Sequence, residues 1–258
     1  MLVSVAAMVL HHIPSHRWRK RYAKRVGPFF EGCIAKTAYG FPMLAKWHDN
    51  VNRIGFEGSY GIVADFINSM PADASYIDVG ANQGFTSIMA SRVLVRGMVT
   101  SYEPSRRSFT ILSKNIALNG CSNIRALNMA ISEESQQLFL DETDFGNTGA
   151  SHVANHGTLI EACTVRLSDV WDQSRFSGIF IKVDTEGYEL DALRGLAAVL
   201  ASGFVRKVVV EINAKHLARF DATPEQIYQY LKSFGLEAEQ GVRSGHYDEV
   251  FSVRQTLK

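Results

Sequence analysis

One glycine-containing turn, within the segment SYIDVGANQGFTSI at residues 75–88, constrains the fold of this chain more than any other feature. Its apolar residues predict a β-strand that ends near Asp78 and a helix that begins after Gly84. Gly80 and Gly84 bracket the turn, and because glycine has no Cβ, a ligand can approach the backbone closely. Free amide groups at the start of the helix point back towards the turn. The segment therefore predicts a binding site for a nucleotide-like ligand.

The spacing of these glycines distinguishes between nucleotide cofactors. A dinucleotide-binding turn has the pattern G-x-G-x-x-G, which lets a pyrophosphate lie against the helix N-terminus. Here Asn82 stands in place of the middle glycine, and Asp78 would repel a diphosphate. S-adenosylmethionine carries an ammonium group and a sulfonium but no phosphate. The turn therefore favours S-adenosylmethionine over a nicotinamide dinucleotide.

A second acid, Glu103, follows the next predicted strand and precedes Pro104. It lies about 20 residues after the turn, where an acid binds ribose hydroxyls in doubly wound nucleotide folds. One carboxylate can accept hydrogen bonds from two hydroxyls on adjacent carbons. In isolation Glu103 would be interpreted as a solvated acid. Its place in the strand–helix–strand order favours ribose binding instead.

Strands and helices alternate after residue 74, which predicts a mostly parallel sheet covered by helices on both faces. Predicted strands cover residues 75–79, 98–103, 124–131, 178–184 and 205–212, and two more close the sheet at 236–241 and 247–254. Predicted helices cover 59–70, 85–95, 106–119, 188–200 and 223–234.

A long excursion at residues 133–177 separates the third of these strands from the fourth. It contains predicted strands at 136–140 and 159–166 around a polar loop at 141–158, and a loop of this length in a compact domain is usually functional. Residues 1–74 are expected to form an N-terminal helical cover that includes a basic segment. Residues 75–258 are expected to form the cofactor-binding domain.

The composition is that of an ordinary globular chain. It has 258 residues, 46% hydrophobic residues and a formal net charge of +1, which gives no reason to expect nucleic acid as a partner. Three cysteines form no spaced cluster, and an odd number argues against a disulfide framework. A cytoplasmic setting is therefore expected, and no apolar run reaches the ~20 residues that a membrane-spanning helix needs.

The basic segment around Trp18 and Tyr22 has two interpretations. It could contact a membrane surface or an acidic partner through residues 1–27. Alternatively it is a solvated helix that packs its two aromatic residues on the body of the protein. Because a run of charges alone is weak evidence for a function, the second interpretation is favoured.

Acidic residues follow several strands of the predicted sheet. Asp78 and Glu103 follow the first two strands, Asp184 with Glu186 follows the fourth, and Glu211 lies at the end of the fifth. Ligands of open α/β sheets bind beyond the carboxyl ends of the strands, and a cationic cofactor would be stabilised there.

Lys182 lies within the otherwise apolar fourth strand, where an unpaired ammonium would be costly. Either it forms a structural ion pair with Asp184 or Glu211, or it takes part in the chemistry at the strand ends. The sequence leaves both readings open.

Four segments in this order resemble the FkbM family of S-adenosylmethionine-dependent methyltransferases: DVGANQG, YEP followed by LSKNIALNG, IKVDTEGYELDALRG and VVVEI. The resemblance covers roughly residues 56–254. It implies a class I methyltransferase fold, a Rossmann-like three-layer sandwich with a mostly parallel seven-stranded sheet and an antiparallel C-terminal edge strand. It also implies O-methylation of a hydroxyl on a sugar, glycan or natural product, with S-adenosylhomocysteine as the second product.

The resemblance implies roles for individual residues. Those that would line the methionine part of the cofactor are Asp78, Gly80, Asn82 and Gly84; those near the ribose and adenine are Glu103, Pro104, Asn128 and Ala130. Asp184 and Glu186 fall in the D-x-E-G signature beside the expected methyl donor. The segment FGNTGASH resembles the family's glycine-serine loop but ends in His152, which departs from the family's pattern.

A sugar hydroxyl is a poor nucleophile, so a base should remove its proton during transfer. His152 is a candidate base by its ordinary pKa, and Asp184 or Glu186 by location; His156 and His216 rank lower. Lys182 completes the predicted catalytic set. Mg²⁺ held by acids such as Asp184, Glu186 and Glu211 is an alternative, although no metal is predicted.

Two other classes of function stay open at the level of sequence. A nicotinamide-dependent oxidoreductase could use the same kind of sheet, but the missing middle glycine and Asp78 argue against it. A non-catalytic binding module could keep the fold without the chemistry, but the retained acids argue against that too.

Overall fold

The computed structural model of the protein describes residues 32–44, 61–142 and 151–253, together with residues 18, 21, 25 and 58. Most of the basic N-terminal segment and residues 143–150 of the polar loop therefore lie outside the described residues. The predictions made for those stretches stay predictions.

Strands and helices alternate along the described chain, as expected. In chain order the strands are β1 (Ile34–Lys36), β2 (Pro42–Leu44), β3 (Ser75–Val79), β4 (Met98–Tyr102), β5 (Ile124–Leu127), β6 (Ala130–Ile131), β7 (Gln136–Asp141), β8 (His152–Ala154), β9 (Thr158–Cys163), β10 (Ile179–Val183), β11 (Val205–Asn213), β12 (Leu236–Ala238) and β13 (His246–Val253). The helices are α1 (Gly61–Asn68), α2 (Phe85–Val93), α3 (Arg106–Leu118), α4 (Leu167–Val170), α5 (Glu189–Gly195), α6 (Ala197–Leu200), α7 (Ala214–Leu217) and α8 (Pro224–Ser233), with a 3₁₀ turn at Ala218–Phe220.

The main sheet has seven strands in the order β12-β13-β11-β10-β3-β4-β5. The five strands from β11 to β5 run parallel, and β13 pairs antiparallel with both β11 and β12. This confirms the mostly parallel seven-stranded sheet expected for a class I methyltransferase. The antiparallel C-terminal strand lies one place in from the edge, because β12 forms the edge itself.

Two predicted elements are each split in the structure. The strand expected at 124–131 divides into β5 in the main sheet and β6 in a separate small sheet. The helix expected at 188–200 divides into α5 and α6. There the Gly195 carbonyl accepts a hydrogen bond from Val165 N at 2.9 Å, and a Cβ on Gly195 would lie 2.3 Å from the carbonyl oxygen of Ser132. The close approach of the 132 and 165 segments therefore accounts for the break.

The excursion at residues 133–177 builds the small sheet, which has the strand order β6-β9-β7-β8. β6 runs parallel to β9, and β7 pairs antiparallel with β9 and with β8. Its core consists of Ala130, Leu140, Ile160 and Ala162.

Alternating residues of the central strands face two separate cores. Tyr76 and Phe180 pack on one face with residues of α1 and α2, and Phe41 and Met43 of the β1–β2 region belong to the same core. Ile77 and Ile181 pack on the other face with α5, α6 and α8. The described part of residues 1–74 thus contains a two-stranded hairpin as well as a helix, both packed on the main sheet.

Local sequence explains where the helices around the site begin. Gly84 has a φ of 88°, in the left-handed region, and α2 starts directly after it. Ser105 caps α3 by accepting a hydrogen bond from Ser108 N. No helix in the described ranges combines the length and the apolarity that a membrane span requires.

Candidate active site

The glycine turn after β3 is held on both sides by neighbouring strand ends. The amides of Gly80 and Ala81 both donate to the Tyr102 carbonyl, each at 3.0 Å. Asn82 has a left-handed φ of 49°, and its amide donates to Glu103 Oε2 at 2.7 Å. The turn and the end of β4 are therefore one connected unit, which joins the residues expected at the methionine and the ribose of the cofactor.

Asp78 is completely buried beneath this turn. Its Oδ2 accepts hydrogen bonds from the hydroxyls of Thr86 and Ser87 in α2, at 2.7 and 2.6 Å. Its Oδ1 has no hydrogen bond within the described residues and lies 3.5 Å from Lys182 Nζ. Asp78 thus braces the turn from below, and a contact with the cofactor's ammonium stays a prediction.

Lys182 lies opposite Asp78 in the register of β10 and β3. Its ammonium is buried between Asp78 and Asp184, 3.2 Å from Asp184 Oδ2, and donates to the Gly80 carbonyl at 3.3 Å. Burial alone would lower the pKa of Lys182, but the charges of Asp184 and Asp78 raise it well above its ordinary value. The structure therefore makes Lys182 a permanent cation that joins the two acids.

Glu103 is buried at the end of β4, where its two oxygens accept hydrogen bonds from Asn82 N and Ser105 N, at 2.7 and 2.8 Å. Burial raises its pKa to about 7, against the opposing effect of these two amides. Each oxygen has a further lone pair, so the carboxylate can still accept hydroxyl hydrogen bonds.

Asn128 and Ala130, both expected near the adenine or its ribose, lie in different surroundings in the structure. The Asn128 amide donates to the carbonyls of Glu103 and Pro104, at 2.8 and 3.0 Å, so it lies beside Glu103, the acid expected at the ribose. Ala130 pairs with Ala162 in the small sheet and its side chain is buried in that sheet's core. The contact of Ala130 with the adenine or its ribose stays a prediction.

The D-x-E-G turn after β10 adopts two left-handed residues in succession, Glu186 with φ 57° and Gly187 with φ 116°. Glu189, at the start of α5, holds this shape: its Oε1 accepts hydrogen bonds from Thr185 N and Gly187 N, both at 2.9 Å. Burial raises the pKa of Glu189. Glu189 was not among the residues predicted from the sequence, although an acid in the first turn of a helix is a recognisable signal for such a role.

Two carboxylate–histidine pairs lie beyond the turn. Glu186 Oε2 is 3.0 Å from His216 Nδ1, and Glu211 Oε1 is 2.7 Å from His246 Nε2. Burial, followed by the charges of Glu211 and Asp184, raises the pKa of Glu186. Burial lowers the pKa of His216, whereas the hydrogen bond to Glu211 raises that of His246. The strand ends thus carry a dense group of titratable side chains.

His246 was not among the residues that the sequence singled out. It opens β13, which runs antiparallel to β11 and brings His246 opposite Asn213. Because the start of an antiparallel strand lies beside the ends of its parallel neighbours, His246 reaches the same edge as Glu211. The final strand pair was predicted, so its direction could have revealed this residue.

His152, the predicted base, opens β8 opposite Asp141. Its charge contributes to lowering the pKa of His216, so the small sheet brings it to the same side of the molecule as the strand-end cluster. His156 is exposed between β8 and β9. The structure therefore groups Asp184, Glu186 and Lys182, with His152 near them.

The order of these features along the chain matches a known family. A model of the methyltransferase FkbM domain matches residues 78–238, which is more than half of the chain. The chain belongs to the FkbM methyltransferase family. It is an S-adenosylmethionine-dependent methyltransferase, as the glycine turn and the resemblance predicted, and this decides against the oxidoreductase alternative.

Two curated methyltransferases are similar in sequence to this chain. The hexuronic acid methyltransferase AglP of Haloferax volcanii is 23% identical over 251 residues, which cover 93% of this chain and 96% of that protein. The methyltransferase sdnD of Sordaria araneosa is 27% identical over 178 residues, covering 56% of this chain and 68% of that protein.

Among solved structures, the crystal structure of methyltransferase FkbM from Methylobacillus flagellatus KT is similar to this chain. It is 17% identical, with a TM-score of 0.46, and the match covers 96% of this chain. The chain spans 58% of the length of that protein.

Proposed function

We propose that the protein transfers a methyl group from S-adenosylmethionine to a hydroxyl of a sugar or glycan, with a related natural-product hydroxyl as the alternative acceptor. The observation that carries the proposal is the group of carboxylates and histidines beyond β10 and β11, next to the glycine turn. O-methylation needs a proton acceptor beside the methyl donor, and this group supplies several. The match to a hexuronic acid methyltransferase along 93% of the chain supports a sugar acid as acceptor.

In the proposed reaction, a lone pair of the acceptor oxygen attacks the methyl carbon in line with the carbon–sulfur bond. The new carbon–oxygen bond forms while the electron pair of the carbon–sulfur bond returns to sulfur, which leaves S-adenosylhomocysteine. The hydroxyl proton passes to a base on the protein. Holding the two reactants in line can supply ~7–11 kcal/mol of the barrier reduction.

Asp184 is our proposed base. It lies at the end of β10, its side chain is 36% exposed, and its contact with Lys182 is 3.2 Å. Burial and the neighbouring acids raise the pKa of Glu186, so Glu186 is not our proposed base. His152 is the second candidate base, from the small sheet. Lys182 positions Asp184 through their 3.2 Å contact and does not itself take the proton.

Substitution Asp184→Asn tests this assignment. Methyl transfer to a panel of hexuronic acids and matching neutral hexoses should fall about 10²–10⁴-fold. The dissociation constant of S-adenosylmethionine, measured by calorimetry, should stay within about twofold of that of the unaltered protein, because Asp184 is not among the residues expected to bind the cofactor. Asp169→Asn is the matched control, because Asp169 also pairs with a cation, Arg166, but on the surface. Unchanged turnover in Asp184→Asn would mean that Asp184 is not the base. His152 would then be the candidate base, and His152→Gln would test it in the same way. No transfer by the unaltered protein to any hydroxyl acceptor would contradict the proposal.

A further inference from the structure

Three side chains from different elements converge at the acceptor side of the site. Glu186 comes from the turn after β10, Glu211 from β11 and His216 from α7. Each offers one ligand atom, and these atoms all lie within 4.8 Å of one another. Two carboxylate oxygens and one imidazole nitrogen at this spacing form a donor set for a divalent cation.

The geometry of one atom pair gives independent support. His216 Nδ1 is shielded from solvent and has no hydrogen-bond partner within the described residues, although it lies 3.0 Å from Glu186 Oε2. The two atoms are close, but they are not aligned for a hydrogen bond with each other. Two ligands at right angles around one ion, each ~2.1 Å from it, lie about 3 Å apart. The pair therefore has the separation of neighbouring ligands of a common ion.

The three side chains are held in place by their surroundings. A Cβ on Gly187 would lie 2.5 Å from the His216 carbonyl oxygen, so the turn and α7 are in backbone contact. Glu211 accepts the hydrogen bond from His246, and ligating carboxylates in metal sites are commonly held by such an outer partner. A site on three braced elements loses little conformational freedom on binding.

We propose that Glu186, Glu211 and His216 bind a divalent first-row transition-metal ion, for which Mn²⁺ is the best-suited probe. Carboxylates suit Mn²⁺ and Mg²⁺, whereas an imidazole favours transition metals, and Mn²⁺ accepts both kinds of ligand. This set replaces Asp184, considered from the sequence, with His216. Three protein ligands leave coordination positions for water or for hydroxyl and carboxylate oxygens of a sugar acid.

The role of the ion, but not its binding, rests on the proposed function. A bound divalent ion would lower the pKa of a coordinated acceptor hydroxyl, so its proton would be easier to remove during transfer. The site also suits an acceptor with two oxygens in reach of one ion, as in a hexuronic acid. Acceptors without a second oxygen should then be poor substrates.

The site can be tested without any acceptor by titrating the full chain with Mn²⁺. Electron paramagnetic resonance measures the concentration of free ion at each step and therefore the amount bound. We expect one bound ion, with nitrogen modulation in the electron spin echo from His216. His216→Gln should abolish the nitrogen modulation and weaken binding at least tenfold, and Glu211→Gln should weaken binding similarly. His156→Gln is the matched control, because His156 is an exposed histidine outside the cluster.

Binding of S-adenosylmethionine by each variant, measured by calorimetry, verifies that it is folded. Mn²⁺ affinity that is unchanged in both His216→Gln and Glu211→Gln would overturn the site, as would the absence of bound ion in the unaltered protein at millimolar Mn²⁺. Methyl transfer that persists without metal would overturn the site's role and leave the transferase proposal intact. Bound Mn²⁺ with no transfer to any hydroxyl would overturn the transferase proposal and the ion's role in it, and leave the metal site intact.

Discussion

Gly80 and Asp184 meet backbone to backbone: a Cβ built on Gly80 would lie 1.8 Å from the carbonyl oxygen of Asp184. Gly80 also has a φ of 76°, which a side chain disfavours. The turn after β3 and the turn after β10 therefore fit together only because Gly80 has no side chain. The part of the site expected to bind the cofactor and the part expected to bind the acceptor are in this way fixed relative to each other.

Gly80→Ala should lower both stability and cofactor affinity. The left-handed backbone alone costs about 1–2 kcal/mol for a residue with a Cβ, and the clash with Asp184 adds to it, so we expect a loss of at least about 3 kcal/mol. Gly203→Ala is a close control, because Gly203 has a φ of 77° and no heavy atom within 4 Å of a built Cβ. Chemical denaturation measures both, and equal losses in the two variants would mean that the contact with Asp184 relaxes without cost.

Lys182→Met should leave Asp78 as a buried charge without its cation. Breaking a buried ion pair by removing one partner costs about 3–5 kcal/mol. Lys207→Met is the control, because Lys207 lies 3.3 Å from Glu239 in a pair with both side chains partly exposed to solvent, where a pair contributes about 0–1 kcal/mol. If urea denaturation finds similar small losses for both lysines, Lys182 is not the counter-charge that the structure indicates.

Glu103 should make cofactor binding depend on pH near neutrality. Its pKa is raised to about 7 from an ordinary value of 4.5, and the carboxylate is the form that accepts two ribose hydrogen bonds. Affinity for S-adenosylhomocysteine should therefore rise up to about tenfold between pH 6 and pH 8. Glu103→Gln should remove this rise in affinity. Calorimetry of both proteins at both pH values separates the titration of Glu103 from that of the ligand, because the ligand is the same in both. A pH dependence identical in both would contradict the ribose assignment.

The same pKa shift has the opposite effect on the stability of the ligand-free protein. Between pH 4.5 and pH 7 the folded chain holds the Glu103 proton that the unfolded chain has lost. The stability from this group is therefore present below about pH 4.5 and lost as the pH rises through 7. In denaturation experiments across this range, the free energy of unfolding of the unaltered protein should fall as the pH rises. In Glu103→Gln this dependence on pH should be weaker.

Glu189→Ala should impair methyl transfer more than cofactor binding. The change leaves the amides of Thr185 and Gly187 without their acceptor, so the turn that carries Glu186 loses its fixed shape. Glu189→Gln keeps one acceptor oxygen and should retain more activity than the alanine variant. Glu225→Ala is the control, since Glu225 is an exposed acid in the first turn of α8. Transfer rates that are equal in Glu189→Ala and the control would show that the turn holds its shape without Glu189.

The parts of the site that sequence predicted are those set by local order. The turn with Gly80, the acid Glu103 and the D-x-E-G segment each follow a strand directly, so a parallel sheet necessarily brings them to one edge. His246 escaped notice because its position depends on the direction of β13. The partners of Asp78 in α2 were equally hidden, since hydroxyl contacts of Thr86 and Ser87 follow from side-chain packing rather than from spacing.

The two divided elements show a similar limit. The apolar pattern of residues 124–131 would be the same for one strand in one sheet or for two strands in separate sheets. Only the pairing of β6 with β9 distinguishes these two cases. Likewise, the break at Gly195 arises from distant residues that approach its backbone. Periodicity in sequence carries information about which residues are buried, but not about which neighbour buries them.

The pairing of β6 with β9 places the two ends of the small sheet's connection side by side. Ala130 lies opposite Ala162, and Ile131 opposite Cys163, so the chain leaves and returns at nearly one point. A segment anchored in this way can be lengthened, shortened or exchanged with little effect on the free energy of the main sheet, because loop closure depends only weakly on length. Residues 132–161 are therefore a natural place to exchange segments with relatives while the main sheet is kept.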